Sequence, residues 1–167
     1  MGTANQIEQE LMSYISDHKI RNTHSHHLPE QAMVDFDLDK LINNTYLQWQ
    51  QVTPGATAES RTAYLEKTRY KSYFVWLQKA IRELYGISEP ITAQNWDQIS
   101  NEIRKAHQNP GFYMDVLKNK CKYQSVVVDT YWNPGSDNGR PELFTPAFRL
   151  DLFFLGYKKG LRNHDGV

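Results

Sequence analysis

The feature that most constrains this chain is the placement of three short strand-like runs around one long helical stretch. "KIRNTH" (residues 19–24), "YQSVVVDTYW" (123–132) and "LFTPAF" (143–148) have the length and the β-branched or apolar content of strands. Between the first and second, nearly everything from Asp37 to Lys120 reads as helix. Leu38, Leu41 and Ile42 mark one helix, and "VTPGAT" breaks it. "TAESRTAYLEKT" restarts with a Thr or Ser cap. "YKSYFVWLQKAIRELYG" aligns Phe74, Leu77, Ile81 and Leu84 on one face and stops at Gly86. "TAQNWDQISNEIRKAHQNPG" is expected to begin at a Thr cap and end at Asn-Pro-Gly, and "FYMDVLKNK" adds a short helix. Ahead of the first strand, Ile7, Leu11, Tyr14 and Ile15 recur at helical spacing. The order helix, strand, helical block, strand, strand looks like the opening of a larger sheet or barrel. The strands near Ile20–Thr23, Ser125–Thr130 and Leu143–Ala147 are expected to lie parallel and adjacent.

Composition narrows the class. At 167 residues the chain can bury a real core. Its 19 basic and 19 acidic residues cancel, so no broad positive field invites nucleic acid. Cys121 is the single cysteine, which rules out an intrachain disulfide and fits a reducing compartment. No apolar run reaches membrane-spanning length, and the N-terminal stretch is acidic and amphipathic, unlike a signal peptide. The expectation is a cytoplasmic protein that engages neither nucleic acid nor membrane.

"RNTHSHHLPE" places three histidines in four residues at the end of the first strand-like run. Residues i and i+2 of a strand share a face, so His24 and His26 can grip one divalent ion through neutral ring nitrogens. His27 should point the other way. A solvated polar turn before Pro29 is the plainer alternative. Two ligands do not complete a site, since zinc takes three or four.

Taken in order, these segments resemble the uronate isomerases of the amidohydrolase superfamily. "THSHHLPE" is similar to their first-strand His-x-His start. The helical block resembles the long insertion they carry between strands one and two. "NNTYLQWQ" and "YFVWLQKAIRELYGI" look like their Tyr- and Trp-containing segments. "SVVVDTYWNP" sits where their second strand meets an Asp-Pro turn, and "LFTPAFRLDLFF" resembles their third-strand Arg and Asp motif. Three departures stand out: Asp129 is displaced from its proline, "RLD" replaces "RPD", and the tyrosine-to-tryptophan spacing in "YLQW" is one residue longer.

The resemblance implies an α/β fold, the N-terminal part of a (β/α)₈ TIM barrel with a large helical insertion between strands 1 and 2. Residues 19–36 and 122–167 would form the barrel-strand portion and 37–121 the insertion, within a single, incomplete domain spanning 1–167. A closed barrel takes roughly 250 residues, so the chain is expected to be the N-terminal portion of a longer parent and inactive alone. An open strand edge is expected to favour a homo-oligomer or looser association. The implied activity is aldose–ketose isomerisation of a hexuronate, with a small sugar acid as ligand. His24 and His26 would hold a divalent metal, Zn²⁺ by analogy. Arg149 would bind the sugar carboxylate, because a guanidinium fork suits bidentate recognition; pairing with Asp151 is the alternative. Tyr46 would hydrogen-bond substrate, or else be a buried structural tyrosine. Trp49, Trp76 and Trp96 are expected to fill the helical core, and Asp129 to cap a turn or orient a ligand. A metal-dependent hydrolase on the same barrel and a non-enzymatic helical module remain alternatives.

Overall fold

The computed structural model describes residues 4–47 and 53–150. The fold is mixed α/β. Its elements run α1 (Ala4–Asp17), β1 (Ile20–Ser25), α2 (Glu30–Met33), α3 (Leu38–Asn43), α4 (Ala58–Thr68), α5 (Ser72–Tyr85), α6 (Trp96–His107), α7 (Phe112–Asp115), a π-helical turn (Val116–Lys120), β2 (Tyr123–Val128) and β3 (Phe144–Pro146). They divide into two compact units. Among the described residues, one combines the segments up to Pro29 and from Leu117 to residue 150, and the other lies within Glu30–Val116.

The first unit is built on a three-stranded parallel sheet in the order β1-β2-β3. The β-branched run of β2 makes it the middle strand. Val126 and Val128 are fully buried, and Phe144 and Leu143 nearly so. Val126 aligns with Phe144 and Val128 with Pro146. The pairing continues past the strand end, where Ala147 N–H donates to the Val128 carbonyl at 2.8 Å. β1 is more polar and pairs less regularly, with register shifts after Ile20 and after Asn22. The Asn22 amide ties it together locally, donating to Ser25 Oγ at 2.7 Å and to the Tyr123 hydroxyl at 3.2 Å. α1 forms where its apolar spacing puts it, but the stripe stays open: Ile7, Leu11, Tyr14 and Ile15 are 50–65% exposed.

The second unit is helical and closes on Trp96. This indole is fully buried, meets Tyr64 edge-on at 6.1 Å and donates from Nε1 to Asp39 at 3.3 Å. Leu38 and Ile42 from α3, Phe74 and Ile81 from α5, and Ile99 and Ile103 from α6 pack in the same core. The start of α4 is a capping box between Thr57 and Ser60. Gly86 ends α5 at φ 72°, in the left-handed region that glycine enters without strain. α6 departs from expectation. Thr92 does not cap it; Thr92 and Asn95 bond each other's main chain in a preceding turn, and the helix starts after Asn95 without a side-chain cap. Trp76 also departs. It lies on the outer side of α5, 65% exposed, with Lys79 Nζ 4.2 Å above its ring. Trp49 lies outside the described residues.

Candidate metal centre

Parallel strands bring their carboxyl ends to one edge, and side chains just beyond that edge converge. β1 delivers His24 within the strand and His26 just after it. β2 hands over to Asp129, whose N–H donates to the Ser25 carbonyl at 2.8 Å, so the ladder itself positions it. Arg149 follows shortly after β3.

These side chains meet. The His24 and His26 rings lie edge to face with centroids 5.1 Å apart. His24 Nε2 is 3.9 Å from Asp129 Oδ2. One donor atom from each of His24, His26 and Asp129 falls within 4.8 Å of the others. His26 Nδ1 lies 2.7 Å from the main-chain oxygen of Asp129. A carbonyl can only accept, so Nδ1 carries a proton, and the tautomer that can ligate is the one with its lone pair at Nε2. Metal-ligating histidines are commonly oriented in this way.

Asp129 is 4% exposed and carries the Arg149 guanidinium. Arg149 Nε donates to Oδ1 at 3.0 Å and to Oδ2 at 2.8 Å, and Nη2 lies 2.7 Å from Oδ2. These hydrogen bonds pull the Asp129 carboxyl below the usual carboxylate range, outweighing burial, with His26 and His24 adding to the pull. The group is therefore a carboxylate, the form that ligates metal. Arg149 also lies 4.9 Å above the Tyr131 ring, which in turn sits edge-on to His26 at 5.7 Å. Trp132 stands 4.8 Å from Tyr131 and 6.3 Å from His26, completing an aromatic wall.

Two imidazoles and a carboxylate suit zinc, and three protein donors leave a coordination position open, as catalytic zinc sites do. Zinc–ligand bonds near 2.1 Å would bring tetrahedral donors to about 3.4 Å from one another, so the cluster must contract. The His24 side chain, 61% exposed, has room to turn inward.

The remaining candidates separate from this cluster. His27 turns away and packs on Phe144 at 5.4 Å, while its carbonyl accepts from Asn138 Nδ2 at 2.8 Å. Burial lowers its pKa, and His26 adds to this. Tyr46 belongs to the helical unit, where it is 45% exposed and meets Tyr73 edge-on at 5.4 Å. His107 is in the same unit and is engaged by the Tyr85 hydroxyl at 2.9 Å. Arg149 is held by Asp129; Asp151 lies outside the described residues, as does His164. The Asp129 side chain does not cap a turn. The following turn is closed instead by Thr130 Oγ1 donating to the Asn133 carbonyl at 2.8 Å and by Asn133 N–H returning to Thr130 at 2.9 Å. Sequence reasoning missed the Asp129 carboxylate as a candidate metal donor, and Tyr131 and Trp132 as its surroundings. The available signal was their place immediately after a β-branched strand expected to pair with β1. No protein-family model and no curated protein matches the chain.

Proposed function

We propose that this chain carries the first-strand metal centre of an α/β barrel like that of the uronate isomerases, and that the whole barrel acts on a small sugar acid. One observation carries the reading. His24 and His26 converge with Asp129 at the carboxyl edge of a parallel sheet whose second strand is reached only through a helical block. Further support comes from Arg149, which reaches the same edge from beyond β3. The sheet has three described strands, and the proposal assigns them the first three of eight.

In this reading His24 and His26 hold the ion, with the His26 tether keeping Nε2 available. A divalent ion there, zinc by its donor set, supplies a Lewis acid toward a substrate carbonyl. Arg149 takes the sugar carboxylate in its planar fork, backed by the Tyr131 face.

The test is ligand binding to zinc-loaded protein, followed by NMR. D-Glucuronate should shift the His24 and His26 imidazole signals and the Arg149 Nε–H signal, and D-glucose should not. Arg149→Lys keeps a charge but loses the fork, and should weaken the response by about tenfold. Identical spectra with glucuronate and glucose would reject the sugar-acid reading.

A further inference from the structure

Asp129 faces two cation sites at once. On one side stand His24 and His26; on the other, Arg149 already binds both of its carboxylate oxygens. The oxygen nearest His24 is Oδ2, and it is also the oxygen that receives both Arg149 Nε and Arg149 Nη2. A carboxylate oxygen has about two lone-pair positions. Oδ2 takes both guanidinium contacts while Oδ1 only shares the Nε hydrogen, so an ion beside His24 competes with Arg149 for Oδ2.

We propose that Asp129 is the third metal ligand of this site, and that Arg149 is a resident counter-ion that leaves Asp129 when metal binds and then serves an anionic ligand. The inference rests on the His24–His26 metal reading above and adds a third donor and a coupling to it. The chemistry fits on each side. A nearly buried carboxylate without a cation is costly, so the metal-free site needs Arg149. With a dication bound, Arg149 faces like charge across Asp129 and its contacts to Oδ2 weaken. The Tyr131 face, 4.9 Å from Arg149 Cζ, gives the displaced guanidinium a surface to rest on beside the metal. The anion it would accept is a carboxylate or a group of similar shape. Because coupling is reciprocal, metal must raise anion affinity by the same factor that the anion raises metal affinity.

The experiment is calorimetric titration of Zn²⁺ into the whole chain and into Asp129→Asn and Arg149→Ala, with and without acetate as the anion probe. The wild-type chain should bind one zinc. Asp129→Asn should bind at least about tenfold more weakly. Arg149→Ala should bind zinc several-fold more tightly. Acetate should tighten zinc binding in the wild type and not in Arg149→Ala. The wild type alone supplies a second readout that does not depend on either variant folding: the Arg149 Nε–H resonance should move as zinc is added. An Asp129→Asn protein that binds zinc like the wild type overturns the inference and leaves the His24–His26 reading standing. So does an Arg149→Ala protein that binds more weakly, or an Arg149 signal that zinc does not move. A wild-type chain that takes up no zinc overturns both.

Discussion

At the scale of single residues, the three neighbouring histidines divide by direction. His24 and His26 converge at the sheet edge, whereas His27 turns onto Phe144. His24→Ala and His26→Ala should each abolish zinc uptake, read by calorimetry. His27→Ala should keep the zinc stoichiometry and lower unfolding stability by about 1–2 kcal/mol, because it removes a packed ring. A His27→Ala chain that loses zinc would contradict the assignment of directions. The i, i+2 spacing made the converging pair legible. Its partners were not, because Asp129 lies 103 residues from His26 along the chain and Arg149 another 20 from Asp129. Periodicity reports which way a residue faces on its own strand; it does not report which strand lies beside it.

At the scale of elements, the helices show which local signals decide structure. Trp76 and Trp96 were indistinguishable by composition, but only Trp96 sits on the helix face that closes the core. Trp96→Ala should cost about 3–5 kcal/mol, whereas Trp76→Ala should stay within about 0.5 kcal/mol, both by urea unfolding. Capping was readable where a side chain and its third neighbour matched, as in Thr57 and Ser60, and misleading at Thr92, whose hydroxyl serves a turn instead. α3 offers a titration test. Burial pushes the Asp37 carboxyl up, but the Lys40 N–H at 2.9 Å and Arg104 Nη2 at 2.7 Å outweigh it, leaving it below the usual range. The unfolded chain takes up this proton first, near pH 3.9 or about 4. The stability from this pair is therefore full above about pH 4 and is lost as pH falls through the lower folded value. Asp37→Asn keeps a capping oxygen and loses the ionic partner of Arg104. It should cost about 0.5–1 kcal/mol at neutral pH, and its gap from the wild type should close on acidification. A gap that stays constant down to pH 3 (roughly one unit below the free carboxylate value) would assign the effect to something other than this charge.

At the scale of the whole molecule, ligand linkage ties site to stability. Zinc at about 100 times its dissociation constant should add about 2.7 kcal/mol to unfolding, seen as a raised Tm that His24→Ala abolishes. The sheet was legible in outline because its strands are short β-branched or apolar runs; α1 was legible as a helix, but the exposure of its apolar stripe was not. Spacing reports that a stripe exists, and only packing reports what covers it. The tether from His26 to Asp129 has one more consequence. Asp129 bears both the carbonyl that orients the His26 ring and the carboxylate that faces His24, and its own N–H is seated on Ser25. A slip of one residue between β1 and β2 would invert which side chains face the sheet edge and break the tether in the same move. Zinc uptake should therefore gauge strand alignment, counting only those chains in which two segments, separated in sequence by the entire helical block, have found each other in the correct frame.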